Sequence, residues 1–305
     1  MPFFAVIVQP FILIALGFAL SRSRMFPRSL WEGVEKLVFY VLFPPLLFNS
    51  VANAQLTVSQ TGIFLACGVG SMTIGMALAW LVSKIAPMGP MTDASLRQCG
   101  YRFNSYIGFA IVFALFGAKG LALFALLMGV WVPISNAAAV ADLAAASRSK
   151  GEGARGILRL IVKNPLIIGT AAGLFFNVTG LHMPELVTSV FKSLGSASLA
   201  LALMSIGSGL QLGKFRQEAV PLSLATIERL VCVPAAALAI GLFFGLSPVE
   251  LGALMSFAAL PTANSCYILA VRMGGNGPAV ANLTTLQTVC ALFTIPFWMG
   301  LLQSL

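Results

Sequence analysis

Charged residues are scarce in this 305-residue chain, and their scarcity excludes a soluble protein. Only 9% of its residues are charged, whereas a soluble domain carries roughly 25%. Apolar residues make up 59% of the chain, and the mean hydropathy is +0.95. We therefore predict an integral membrane protein without a sizeable soluble domain, whose spans are helical because lone strands would leave backbone groups unpaired in lipid.

Motifs for catalysis and metal binding are also lacking. The chain has one histidine, and it contains neither HExxH nor GxSxG, so we predict that it is not an enzyme and has no cofactor. The cysteines lie in apolar stretches without metal-ligand spacing, which favours a packing role over disulfides. They are Cys67, Cys99, Cys232, Cys266 and Cys290.

The net charge of +9 comes from basic residues that lie mainly in loops between apolar runs. This distribution indicates contact with anionic lipid head groups, and we predict no nucleic-acid partner. The positive-inside rule places the odd-to-even loops in the cytoplasm and both termini on the outer side. The loop residues that decide this include Arg22, Arg24, Arg28, Lys36, Arg148, Lys150, Arg155, Arg159, Lys214 and Arg216.

Ten apolar segments are long enough to cross the ~30 Å hydrocarbon layer as helices. A bacterial inner membrane is the predicted location. The predicted spans cover about 3–20, 33–53, 60–86, 98–117, 120–145, 157–179, 187–211, 219–245, 248–273 and 278–303.

The ten spans divide into two similar halves, residues 1–150 and 157–305. An odd number of spans in each half would insert the second half upside down, and such inverted repeats are typical of secondary transporters. Three matches recur at nearly one separation: Gln9-Pro10 with Asn164-Pro165, Gln55-Leu56 with Gln211-Leu212, and Asn104-Ser105-Tyr106-Ile107 with Asn264-Ser265-Cys266-Tyr267-Ile268.

The ninth predicted span has a helix-breaking centre that reads ALPTANSCYILA. Pro261 removes one backbone hydrogen bond, and three polar residues follow it, Thr262, Asn264 and Ser265. Transporters often form their substrate sites from interrupted helices near the midplane. We therefore predict a broken ninth helix whose polar residues bind substrate.

The fourth span has polar residues at the corresponding depth but no proline, so a break there would depend on Gly108 and the pair Asn104-Ser105. Interhelical hydrogen bonding is the alternative role for both asparagines, but their recurrence in both halves favours a binding site. In the fifth span, Pro133 precedes Asn136. Asn136 could line a cavity, with helix packing as the equal alternative.

Two charged residues lie near the middle of the eighth span, Glu228 and Arg229. A charge at that depth is costly, so it should face protein or water and have a partner. Consecutive residues on a helix point in different directions and do not automatically pair. Glu228 could carry a coupling proton and Arg229 could attract an anion, or each could stabilise the bundle. Arg102 is a second basic candidate, for which snorkelling to the interface is the alternative.

At these residues the chain resembles the auxin efflux carrier family, bacterial relatives of the plant PIN carriers within the bile acid/sodium symporter-like superfamily. The resemblance covers the whole length. Its most specific parts are Arg102-Phe103-Asn104, Lys163-Asn164-Pro165, the run SIGSGLQL and the run ALPTANSCYILA.

The resemblance implies an all-α fold of two inverted five-helix repeats, with broken fourth and ninth helices that cross near the midplane. It further implies elevator-like movement and organic anion substrates such as malate, malonate and indole acetate. Carried over by position, the crossover is Asn104 to Gly108 and Pro261 to Ser265. Family members usually have a proline in the fourth helix, where this chain has Gly108-Phe109-Ala110.

The prediction is therefore a secondary transporter of small carboxylate anions with elevator-type alternating access. A non-transporting membrane sensor or partner subunit is the alternative. The expected partners are the lipid bilayer and a small organic anion. Coupling to a proton or to sodium, and assembly as a homodimer, are left open.

Overall fold

The computed structural model describes residues 3–54, 58–147, 163–210 and 218–305, which form helices joined by short connections. The all-helical prediction is confirmed for these ranges, in which no strand occurs. The helices are α1 (Phe3–Ser21), α2 (Arg28–Leu37), α3 (Phe43–Ala52), α4 (Val58–Ile85), α5 (Pro90–Tyr101), α6 (Ser105–Ser147), α7 (Pro165–Thr179), α8 (Glu185–Gly209), α9 (Ala219–Ile227), α10 (Val233–Phe243), α11 (Pro248–Ala258), α12 (Asn264–Arg272) and α13 (Gly277–Gln303).

Six helical stretches of the described chain are long and apolar enough to cross a membrane, and three apolar helices are shorter. The protein is therefore a multi-pass membrane protein, while the number of ten spans stays a prediction. Several residues used for the repeat and orientation predictions lie outside the described ranges: Gln55-Leu56, Arg148, Lys150, Arg155, Arg159, Gln211-Leu212, Lys214 and Arg216.

The chain divides into two compact units, and each takes segments from both halves of the sequence. Unit 1 comprises Met1–Gly62, Tyr106–Gly129 and Leu160–Gly209, whereas unit 2 comprises Ile63–Ser105, Val130–Arg159 and Leu210–Leu305. A sequence repeat and a compact unit are separate properties, so the two predicted halves stay an expectation.

In unit 1, the GxxxG pair Gly169 and Gly173 lets α7 approach α3 closely. A Cβ atom added to Gly169 would lie 2.7 Å from the carbonyl oxygen of Pro44, and one added to Gly173 would lie 2.7 Å from that of Phe48. Small residues at such positions bring helix backbones into contact, which strengthens van der Waals packing in lipid. α1 packs along α8 in the same unit.

Two π-helical turns, each next to proline, interrupt the helices. The first, Val38–Leu42, precedes Pro44, and the second, Glu228–Cys232, precedes Pro234. Proline cannot donate the helical hydrogen bond, so the carbonyl four residues earlier loses its partner. For Pro234 that carbonyl belongs to Leu230, and the indole N–H of Trp298 donates to it at 2.8 Å.

In unit 2, an apolar cluster joins α5, α9, α12 and α13. The cluster comprises Leu96, Cys99, Leu222, Ala225, Cys266, Ala270, Ala279, Val280 and Leu283.

α6 changes direction at Gly117, where φ is 60°, a conformation that glycine adopts without steric cost. Gly117 lies at the predicted boundary between the fourth and fifth spans.

Candidate functional site

Unit 2 contains two helix breaks that meet. α5 ends at Tyr101 and α6 begins at Ser105, whereas α11 ends at Ala258 and α12 begins at Asn264. The backbone N–H of Asn104 in the first break donates to the carbonyl oxygen of Pro261 in the second, at 2.8 Å. The fourth predicted span is thus interrupted without a proline, and the two interruptions are hydrogen-bonded to each other.

Both breaks begin earlier in the sequence than predicted, which corrects the expected ranges. Gly108 lies inside α6 and Ser265 lies in the first turn of α12, so neither belongs to a break. The backbone is instead extended at Arg102 (φ −99°, ψ 147°) and at Ala263 (φ −93°, ψ 148°). Because the Asn104 N–H finds its acceptor on the other break, the chain can unwind there without a proline.

Buried donors satisfy the carbonyl end of each half-helix before its break. The indole N–H of Trp131 donates to the carbonyl oxygen of Tyr101 at 2.8 Å. The guanidinium Nη1 of Arg229 donates to the carbonyl oxygen of Ala258 at 2.9 Å. The last carbonyls of a helix have no intrahelical partner and carry partial negative charge. Trp131 and Arg229 therefore stabilise these helix ends.

The Arg102 side chain joins the first break to the first turn of α12. Its Nη1 donates to Gln98 Oε1 at 2.6 Å, and its Nη2 donates to Ser265 Oγ at 3.0 Å. The Arg102 side chain is partly exposed. A fixed positive charge therefore lies beside the first turn of α12.

Two buried glutamines fix the backbone around the ninth-span break. Gln287 Oε1 accepts the Thr262 backbone N–H at 2.9 Å, and Gln98 Nε2 donates to the carbonyl oxygen of Cys266 at 3.1 Å. The Thr262 hydroxyl lies 3.2 Å from the Cys266 sulfur. Gln98 was not among the predicted site residues, although a fully buried glutamine one turn before a break is a signal for such a role.

The predicted substrate-binding residues therefore separate into two groups. Pro261 and Thr262 are buried and use polar groups to hold the break. Asn264 is partly exposed and Ser265 is exposed, at the N-terminal end of α12. Of the two, Ser265 already contacts the guanidinium of Arg102.

The other predicted residues lie in or next to α6. Ser105 begins this helix and is partly exposed, and Asn104 before it is buried. α6 stays helical through Pro133, so no break accompanies the partly exposed Asn136. The described residues include no hydrogen bond from Asn136 to either break.

Glu228 and Arg229 occupy the second π-helical turn and are almost fully buried, with 3% and 0% exposure. They form no ion pair with each other in the described part of the chain, which agrees with the prediction that neighbouring positions need not pair. The Arg229 guanidinium points to Ala258 and to the sulfur of Met72, 3.9 Å away. π-Helical turns occur frequently at functional sites.

Interrupted, mutually bonded helices in a multi-pass bundle are features of membrane transporters, and comparison with known proteins places the chain in that class. The family model described as "Membrane transport protein" matches residues 2–138 and 153–299. The chain belongs to this family, the auxin efflux carriers, which confirms the resemblance seen in the sequence.

Three relatives match over nearly their whole length. A protein named "Putative malonate transporter" from Rhizobium meliloti (strain 1021) is 26% identical over 94% of this chain and 92% of its own. "Uncharacterized transporter" proteins from Methanothermobacter thermautotrophicus and Methanocaldococcus jannaschii are 21% and 22% identical, each over 96% of both chains.

Proposed function

We propose that this membrane transport protein is a secondary transporter of small carboxylate anions that works by alternating access. The observation that carries the proposal is the pair of hydrogen-bonded breaks, with the Arg102 guanidinium beside the first turn of α12. An anion placed there meets a positive charge and the N-terminal end of α12. The name of the Rhizobium relative supports a dicarboxylate such as malonate as the first substrate to test.

Electrostatics at this position favours an anion over a cation. The first N–H groups of a helix have no intrahelical acceptor, and the aligned peptide dipoles place about +0.5 charge at that end. α12 begins at Asn264, so the backbone amides of Asn264 and Ser265, the Asn264 side chain and the Ser265 hydroxyl can donate to a carboxylate.

The proposed substrate-binding residues remain those chosen from the sequence, with Arg102 added. Pro261 and Thr262 hold the backbone in position, and the partly exposed polar groups contact the anion. Glu228 and Arg229 are proposed as coupling or charge groups and not as substrate ligands. The complete substrate-binding set is Arg102, Asn104, Ser105, Gly108, Asn136, Pro261, Thr262, Asn264 and Ser265.

The finer features of the mechanism are also proposals. They comprise two inverted five-helix repeats with ten spans, elevator-type movement of the unit that carries both breaks, a bacterial inner-membrane location and both termini on the outer side. The division into two interleaved compact units supports elevator-type movement. The transporter relatives support a non-enzymatic role.

Counterflow of labelled malonate in proteoliposomes tests the proposal, with the Asn264→Ala variant as the central comparison. A hydrogen bond to a charged group contributes about 1.5–3 kcal/mol, so malonate binding should weaken roughly 10- to 100-fold. The matched control is Asn282→Ala in α13, which makes the same change at a partly exposed position away from the breaks.

Two results would contradict the proposal. Unchanged binding and counterflow in a folded Asn264→Ala protein would remove the site from the second break. Malonate binding without counterflow in the wild type would instead indicate the sensor alternative.

A further inference from the structure

The buried carboxyl group of Glu228 is the strongest unexplained polar feature of unit 2. Its side chain is 3% exposed, and neither carboxylate oxygen has a hydrogen-bond partner within the described ranges. The adjacent Arg229 makes no hydrogen bond with it, and its Nη1 donates instead to the carbonyl oxygen of Ala258. A carboxyl group held in this way is either neutral or in need of a ligand.

Physical chemistry favours the neutral, protonated form in this arrangement. Burial of an ionised carboxylate without a partner costs several kcal/mol, and such a group normally neutralises instead. Ionisable residues inside membrane helices are expensive and often belong to proton or ion pathways. The absence of a partner therefore points to a bound proton.

A crevice connects Glu228 with the end of unit 2 where α4 and α5 are joined. It is narrow, with a volume of about 20 Å³ between α4, α5 and α9. Its polar lining consists of Ser83, Asp93 and Arg97, with Glu228 itself. The connection between α4 and α5 follows an odd-numbered span, so it was predicted to lie in the cytoplasm. The crevice leaves room for about one water next to the carboxyl group on that side.

The carboxyl group also lies directly against the helix that leads to the first break. A Cβ atom added to Gly100 would be 2.7 Å from Glu228 Oε2, and one added to Gly75 would be 3.7 Å from Oε1. Gly100 immediately precedes Tyr101, the last residue of α5. A change in the charge of Glu228 would therefore act on α5 next to the proposed substrate site.

Few other ionisable groups face this carboxyl group. On its own turn they are Arg229 and Cys232, and α5 contributes Asp93 and Arg97 along the crevice. Arg97 is already paired with Asp142, with 2.7 Å between Nε and Oδ2. The crevice-lining residues of α4 and α9 are not ionisable, α10 has no ionisable residue, and α13 has only Cys290.

From these observations we propose that Glu228 is a proton-binding site of the transport cycle, loaded through the crevice between α4, α5 and α9. The inference rests on the proposed transport function. A proton adds to the carboxylate to give the neutral acid, crosses with the substrate and is released on the other side. Each proton carried in this way offsets one negative charge of the anion.

Proteoliposomes with an imposed pH gradient and a clamped membrane potential test this site. Wild-type protein that moves one extra proton per malonate should accumulate malonate about tenfold for each pH unit. Glu228→Gln, which mimics the neutral acid, should lose this accumulation while counterflow remains measurable. The matched control is Glu185→Gln, an exposed position in α8 that should behave as wild type.

The outcomes separate this proposal from the transport proposal. Wild-type protein without counterflow refutes transport itself, whereas gradient-driven accumulation in Glu228→Gln overturns only the proton site. If Glu228→Gln loses sodium-driven malonate accumulation but keeps the response to pH, the proton site is overturned in favour of a sodium ion at Glu228. If Glu228→Gln does not fold, Glu228→Asp is decisive: a shifted pH profile of uptake supports the site, and an unchanged profile overturns it.

Discussion

The hydrogen bond between Trp298 and Leu230 allows a quantitative test of how this protein accommodates a proline inside a span. Pro234 cannot donate to the Leu230 carbonyl, and the Trp298 indole donates instead at 2.8 Å. Trp298→Phe keeps an aromatic ring and removes this donor. The Leu230 carbonyl is then left without a partner inside the bundle.

The expected cost has two parts. An unsatisfied buried polar group costs about 1–3 kcal/mol, and the smaller ring adds a packing loss. Pro234→Ala separates them, because alanine, unlike proline, has a backbone N–H that can donate to the same carbonyl. In the Pro234→Ala background only the packing loss should remain, so the coupling energy of the double-mutant cycle should be about 1–3 kcal/mol.

Unfolding by SDS in mixed micelles measures the four free energies of the cycle. Trp80→Phe is the control, since Trp80 is 55% exposed and the same change there should have little effect. A coupling energy below about 0.5 kcal/mol, the level of independent sites, would refute the assignment of Trp298 as the substitute donor for Pro234.

Two further substitutions test the first break. Trp131→Phe should destabilise the protein by about 1–3 kcal/mol, because it removes the donor to Tyr101 at the end of α5; equal stability in SDS unfolding would contradict this. Gly100→Ala should cost about 1–3 kcal/mol by overpacking, since its Cβ would lie 2.7 Å from Glu228. The methyl group added by Gly70→Ala in α4 would have no neighbour within 4 Å. This control should leave stability equal or raise it by up to ~1 kcal/mol. A loss of stability at Gly70 as large as at Gly100 would disprove the packing explanation.

Local chemistry allowed the sequence to predict much of the fold and part of the site. Hydropathy identified a helical multi-pass membrane protein, and Pro261 located the ninth-span break to within a few residues. The expectation that Glu228 and Arg229 need not pair followed from helix geometry alone. Each of these inferences depends on residues that are close in the sequence.

Contacts between distant residues set the features that the sequence did not predict. The fourth span breaks before Asn104 because its N–H is accepted by Pro261, and no local pattern reveals that acceptor. Arg102 stays at the break because Ser265 receives its hydrogen bond. The two π-helical turns, in contrast, were within reach of sequence reasoning, since Pro44 and Pro234 mark them.

The interleaving of the two units has a consequence for how the chain assembles during synthesis. Unit 1 needs no residue beyond Gly209, whereas unit 2 needs the last part of the chain. Gln98 and Cys266, whose hydrogen bond joins α5 to α12, are 168 residues apart. At ribosomal rates of roughly 5–20 residues per second, the newly inserted α5 waits on the order of ten to thirty seconds for its partner. The buried amide of Gln98 must be shielded from lipid throughout that interval, so the cell's insertion machinery should retain α5 until α12 emerges.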